Sequence, residues 1–226
     1  MKTAPTPFIA IEGMDGSGKT TLVRELERAM KGMPVVFTHE PGGTPLARAV
    51  RDILLDGDLS GNASGKTQLL GFFYARSDHI GMIDSLRTMG QTVITDRFDG
   101  STFAYQVYGE SHTPEERKRL GHFFWTLQKS VVSVEHAPTL YLFLDLPPET
   151  AQARRAADPS QAMNHYDLKP IDFYRRQREG YFMFFRDIEE WHQSKVAFID
   201  ATLSPDDVFE EALQVIRDHI RSVTTA

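Results

Sequence analysis

Five short apolar runs, spaced by segments with a helical repeat, set the pattern of this chain. Phe8-Ile9-Ala10-Ile11, Val35-Val36-Phe37, Thr92-Val93-Ile94-Thr95, Leu140-Tyr141-Leu142-Phe143-Leu144 and Val196-Ala197-Phe198-Ile199 carry almost no polar residue. Runs of that length and composition predict strands buried on both faces. Between them, Leu22, Val23, Leu26, Ala29 and Met30 recur at helical spacing, and Leu46, Ala49, Val50, Ile53 and Leu54 do the same over roughly 45–55. A longer repeat runs from about Thr67 to Met89 through Leu69, Leu70, Phe73, Ile80, Ile83 and Leu86. Pro114-Glu115-Glu116 opens another helix, with proline and acids where the helix dipole favours them. A helix rich in Phe and Tyr spans about Asp172 to Trp191, and Ser204-Pro205 starts the closing one. Asp56 to Gly65 reads as a surface loop, and Ala153 to Lys169, without clean periodicity, as a mobile excursion. Strands alternating with helices predict a three-layer α/β fold, a five-stranded parallel sheet with helices on both faces. With no repeat and no linker, residues 1–226 read as one domain with a mobile lid at about 153–169.

Composition narrows the function rather than the fold. Acidic residues outnumber basic ones, 31 to 25, for a net charge of -6, whereas a polynucleotide binder is more often basic. No nucleic-acid partner is therefore expected. Cysteine is absent, which excludes disulfides, zinc thiolates and thiol nucleophiles. No apolar run approaches the ~20 residues of a membrane span. The opening residues Met1 to Pro7 are prolines and small polar groups rather than a signal peptide, so the expected compartment is the cytoplasm.

The chemistry begins directly after the first apolar run. Gly13-Met14-Asp15-Gly16-Ser17-Gly18-Lys19-Thr20 fits G-x-x-x-x-G-K-[ST] between a predicted strand and a predicted helix. Glycines bring backbone N–H groups close to a polyphosphate, and the helix start adds unpaired donors and its positive dipole end. Lys19 would neutralise the outer phosphates and Thr20 would offer a hydroxyl to Mg²⁺. The class is therefore a P-loop NTPase fold that takes a nucleoside triphosphate. A guanine-reading Asn-Lys-x-Asp motif is missing. Glu40, Asp96-Arg97 and Asp145 follow predicted strands, where an open α/β sheet places its ligand.

Six segments in order then carry a resemblance: Gly13–Thr21 (GMDGSGKTT), Phe37–Thr44 (FTHEPGGT), Phe72–Arg76 (FFYAR), Asp96–Gln106 (DRFDGSTFAYQ), Leu144–Glu149 (LDLPPE) and Ile199–Thr202 (IDAT). On these the chain resembles the thymidylate kinases from end to end. The resemblance implies transfer of the ATP γ-phosphate to dTMP in a homodimer, with no membrane partner. It implies an ATP site of Gly13, Asp15, Gly16, Ser17, Gly18, Lys19, Thr20 and Thr21, with Mg²⁺ on Thr20 and Asp96. Arg97 and Arg51 would face the acceptor phosphate, and Asp15 would accept from the sugar 3′-hydroxyl. Phe72 would stack on thymine and Arg76 donate to a base carbonyl. Glu40, Thr102, Tyr105 and Gln106 would line base and sugar, the tyrosine crowding the 2′ position. Without the family, Phe72 would more often be core, Arg51 a solvated helix residue and Tyr105 an ordinary buried aromatic.

The match departs at three places. The usual lid ending Asp-Arg-x-Glu reads Asn164-His165-Tyr166-Asp167, and the excursion holds only Arg154 and Arg155 before Lys169. Arg154 is the candidate lid arginine, with His165 as a partial stand-in. His39 replaces a common arginine. Tyr74 stands beside Phe72 where a small residue is usual, which raises an alternative acceptor, a 5-modified dUMP such as 5-hydroxymethyl-dUMP. A deoxynucleoside kinase and a catalytically weakened nucleotide-binding dimer are the other readings.

Overall fold

The most apolar run becomes the middle of the sheet. The structure is a computed structural model that describes residues 6–158, 163–192 and 194–224. Strand β1 (Phe8–Gly13), buried throughout, lies between β3 (Thr92–Asp96) and β4 (Leu140–Asp145), with β2 (Val35–His39) and β5 (Lys195–Asp200) at the edges. All pairings are parallel; Ile9 faces Ile94 on one side and Leu140 on the other. Position explains the patterning. β1, β3 and β4 are covered on both faces and so are mostly apolar, with Glu12 and Thr95 buried among them, whereas the half-exposed edges tolerate Thr38, His39 and Lys195.

Helix α1 (Lys19–Ala29) follows β1, and α2 (Pro45–Leu55), the short α3 (Gly57–Ser60) and α4 (Gly65–Thr88) follow β2. After β3 come α5 (Asp99–Thr102), a π-helical segment Phe103–Gly109 and α6 (Pro114–Val131). β4 leads to α7 (Pro148–Ala157) and α8 (Ile171–His192), and β5 to α9 (Pro205–Thr224). The order β2-β3-β1-β4-β5 sends the first crossover one way and the next three the other. Right-handed crossovers therefore put α1 on one face, where it packs on α9, and α4, α6 and α8 on the opposite face. The change of direction occurs at β1, so a crevice opens at its carboxyl end. Thr44, Ser64 and Thr113 accept hydrogen bonds from Ala47 N, Thr67 N and Glu116 N, fixing the starts of α2, α4 and α6 at about 1 kcal/mol each.

One expectation needs correction. Asp56–Gly65 is not all loop: Asp56 accepts from Asp58 N and Leu59 N and starts α3. The excursion from Ala153 begins as the last turn of α7, residues 159–162 lie outside the described residues, and Asn164–Lys169 form hydrogen-bonded turns. Among the described residues, no helix is long and apolar enough to cross a membrane.

Candidate functional site: a cleft over the phosphate loop

A cleft of about 910 Å³ lies over the carboxyl ends of β1, β2 and β3 and against α7. Its floor is the turn after β1. Gly16 and Gly18 have φ of 84° and 91°, a backbone that side chains rarely adopt. A Cβ on Gly16 would also meet the Ala151 carbonyl oxygen at 2.2 Å, so α7 can seat on the loop only over glycine. Lys19 folds back, donating to the carbonyls of Gly13 at 2.9 Å and Met14 at 2.8 Å. Burial, then repulsion from Arg97, lowers its pKa to about 8 against the pull of Asp15, Asp96 and Glu12.

At the end of β3, Arg97 takes a φ of 68°, a strained value for a side-chain-bearing residue. That turn sends its guanidinium over the Tyr105 ring, 5.2 Å from the centroid, and onto the Asp15 carboxylate. Tyr105 donates to the other Asp15 oxygen at 2.7 Å. Burial pushes the Asp15 carboxyl up, but Arg97, then Lys19 and the Tyr105 hydroxyl, more than offset it and hold it below the usual range. A buried acid, Glu12, anchors this corner: it accepts from Phe98 N at 2.9 Å, Ser101 N at 3.1 Å and the Ser101 hydroxyl. Ser101 and Tyr181 in turn brace Arg97. Arg51 lines the same space, donating to Pro41 O at 2.9 Å; burial and then Arg97 lower its pKa. Cations converging on one another this way suit an anion between them.

The far end of the cleft is built from buried side chains. Glu40 accepts from Arg76 Nε and His79 Nδ1, both at 2.9 Å, and the His79 Nε2 meets the Thr38 hydroxyl at 2.9 Å. Arg76 also donates to the Thr102 hydroxyl at 2.7 Å. Its third nitrogen, Nη1, is buried with no partner among the described residues, and so is the Gln106 Oε1. Both residues line the cleft, with a half-buried Phe72 beside them. Asp96 Oδ1 is a third buried atom without a partner among the described residues, at the phosphate end. Among the described residues no cluster of three or more His, Cys, Asp or Glu could hold a metal alone. A cation here fits only with Asp96, the Thr20 hydroxyl and ligand oxygens together.

Residues 11–212 match the family model for thymidylate kinase. The chain belongs to the thymidylate kinase family. The thymidylate kinase of Acinetobacter baylyi is 33% identical over 213 residues, 93% of this chain and 98% of that protein. Those of Acinetobacter baumannii (34%, covering 92% of this chain and 99% of theirs) and Clostridium novyi (31%, 90% and 95%) are similar.

Against the expectations for this family, Asp15, Gly16, Gly18, Lys19, Thr20, Thr21, Glu40, Arg51, Phe72, Arg76, Asp96, Arg97, Thr102, Tyr105, Gln106 and Arg154 all line the cleft. Gly13 and Ser17 do not; Gly13 serves through its carbonyl. Glu40 accepts from Arg76 on one oxygen and His79 on the other. Arg154 donates to Ala201 O at 2.8 Å, on the loop after β5. Its neighbour Arg155 is buried, gripped at 2.8 Å by both oxygens of Asp167, and close enough to help hold Asp15 ionised. His165 is not among the cleft residues; its ring lies 4.0 Å from that of Tyr166. His39 does line it, and burial, then Arg51, keeps its pKa below the usual value. Tyr74 is 56% exposed and outside the cleft, so it cannot shape the space beside Phe72. Glu12, Gln68, His79 and Tyr166 were not singled out from the sequence, and Arg155 was passed over for Arg154; of the first four only His79 had a signal, one helical turn beyond Arg76.

Proposed function

We propose that this protein transfers the γ-phosphoryl group of ATP to dTMP, giving dTDP and ADP. The observation that carries the reading is the pair of buried atoms at the far end of the cleft that have no partner among the described residues, a donor on Arg76 and an acceptor on Gln106. A thymine or uracil edge offers the complement, a carbonyl oxygen beside a ring N–H; cytosine offers the reverse. Phe72 supplies a flat face for the ring. Tyr105 crowds the sugar and Asp15 takes the 3′-hydroxyl. Arg97 and Arg51 hold the acceptor phosphate, while the loop amides and Lys19 hold the triphosphate.

An oxygen of the acceptor phosphate forms the new bond to the γ-phosphorus. The bond from that phosphorus to the β,γ-bridging oxygen breaks, and its electron pair leaves with ADP. No protein nucleophile is required, because positioning and neutralisation supply the catalysis. Mg²⁺, held through Asp96 and Thr20, would neutralise charge on the β- and γ-oxygens. Arg154 is the proposed lid arginine, on a single domain whose lid spans about 153–169. Arg155 is the competitor for that role, and comparing Arg154→Ala with Arg155→Ala in kcat separates them.

A homodimer fits the exposed apolar side chains on two packed helices, Leu46 and Ile53 on α2 and Leu70 and Tyr74 on α4. Tyr74 then belongs to a contact between copies rather than to the substrate pocket. The cytoplasm is the compartment this reading implies. The test is ADP release with ATP and Mg²⁺ across dTMP, dUMP, dCMP and thymidine. Highest kcat/KM with dTMP is expected. No dTMP-dependent ADP, or thymidine as the better acceptor, would refute the proposal.

A further inference from the structure

The direction of one amide decides what the far end of the cleft asks of a ligand, and a chain of buried hydrogen bonds sets that direction. It starts at the main-chain carbonyl of Ala63, which can only accept. Gln68 Nε2 donates to it at 3.3 Å. Gln68 Oε1 is thereby turned the other way, where it accepts the Tyr166 hydroxyl at 2.9 Å. With its proton committed, the Tyr166 oxygen accepts from Gln106 Nε2 at 3.0 Å. The chain ends on Gln106 Oε1, which has no partner among the described residues and belongs to a side chain lining the cleft.

Gln68 and Gln106 are each 1% exposed and Tyr166 is 4% exposed, so water is a poor substitute for any link. Tyr166 is also fixed in place: its N–H donates to Asn164 Oδ1 at 2.8 Å, and its ring meets that of Tyr105 edge-on at 5.5 Å. Burial pushes its hydroxyl far above the usual tyrosine range, so the proton stays on. Running the chain backwards would turn Gln68 Oε1 against the Ala63 carbonyl, two acceptors face to face. An isolated glutamine amide can be flipped freely; this one cannot.

We propose that Gln68 and Tyr166 are positioning residues that set the base class of the acceptor, by holding Gln106 with its oxygen toward the ligand. The inference rests on reading the cleft as a pyrimidine monophosphate site. A base must then present an N–H to Gln106, as uracil and thymine do; the cytosine ring nitrogen at that place is an acceptor and is refused.

The test is kcat/KM for dTMP and for dCMP in wild type, Tyr166→Phe, Gln68→Met and the double variant. Gln68→Met removes the acceptor that commits the hydroxyl, so Tyr166 is released to donate to Gln106 Oε1 and reverse its amide. The dTMP-to-dCMP ratio should fall about tenfold or more. Tyr166→Phe should lower it less, because Gln68 Oε1 still lies 3.5 Å from Gln106 Nε2. The double variant should recover part of the way from the level of Gln68→Met, since the hydroxyl that reverses the amide is gone, but stay below Tyr166→Phe, which alone keeps Gln68 Oε1 within 3.5 Å of Gln106 Nε2. Packing damage alone would instead be additive and leave the ratio unmoved. An active wild type with an unchanged ratio in Tyr166→Phe and Gln68→Met, or additive loss in the double variant, overturns the relay alone. A wild type inactive on both nucleotides overturns the monophosphate-site reading and the relay with it. If Gln68→Met does not fold, Tyr166→Phe, which keeps the ring, decides by itself.

Discussion

Along the phosphate loop the groups come from one unbroken stretch, Gly13–Thr21, mostly backbone amides held by the turn itself, with Asp96 and Arg97 at the end of β3 and Arg51 on α2 beside it. At the base end they are side chains from separate elements: Glu40 after β2, Gln68, Arg76 and His79 on α4, Thr102 on α5 and Gln106 in the π-helical segment. The first arrangement is local and sits on the sheet. The second is a buried ion pair with its hydrogen bonds, and the core closes around it. The phosphate end can therefore lose a side chain without disturbing the fold, whereas the base end cannot.

Lys19→Ala is the sharpest way to break this contrast. It should lower kcat by roughly 10³-fold, the scale of a cation on the transferring phosphate. The melting temperature should hold or rise, because Lys19 is a buried cation that folding makes harder to protonate. A clear loss of thermal stability would erase the distinction. Arg76→Met should do both kinds of damage: a fall of about 10²-fold in kcat/KM for dTMP, and a loss of roughly 3 kcal/mol as Glu40 keeps only His79. Calorimetry and steady-state kinetics on one preparation measure the two together.

Acidity separates the ends more gently. With Lys19 at about 8, the free protein loses that charge as pH rises. kcat/KM for ATP should then decline by up to about tenfold per unit above pH 8, while kcat/KM for dTMP at saturating ATP stays flatter, since bound phosphate retains the proton. The same shift has a stability sign. The folded pKa lies below the unfolded one, so the unfavourable contribution is full below pH 8 and is relieved as pH rises from 8 toward 10.5.

The smallest expected effect lies behind the base end. Burial pushes Asp99 up to about 7, with Glu12 adding to it and Arg76 and the Tyr141 and Gln128 hydrogen bonds opposing. A raised carboxyl favours the folded state when protonated, so stability should fall as pH climbs from about 4 to 7. Asp99→Asn should remove that slope and raise the melting temperature at pH 8 by a few degrees, about 2–4 °C for each kcal/mol gained. Gln128 can turn its oxygen, which has no partner among the described residues, to the new amide.

The same contrast governs what could be read from sequence. The strands and the phosphate loop are contiguous signals: β1 and β4 are apolar because both faces are covered, and Gly13–Thr20 declares its own turn. Helix α7 gave no such signal, because only Ala151 and Arg155 of it are buried and no apolar stripe forms. The π-helical segment failed for the opposite reason, since every residue from Phe103 to Gly109 is buried and no polar face marks a period. Phe72, Arg76, Arg97 and Tyr105 were assigned through family resemblance. Glu12, Gln68 and Tyr166 are joined to the site by partners 60 to 98 positions away, a distance no local pattern spans.

The Glu110 N–H reaches back to Tyr105 O at 2.9 Å, closing a turn wider than an ordinary helix allows. Tyr105 and Gln106 thus owe their bearing to one surplus residue in the winding. Deleting a single position between Tyr108 and Ser111 would let the coil tighten and swing both side chains off the ligand without altering either of them. Chain length, as well as residue identity, thus sets how Tyr105 and Gln106 face the cleft.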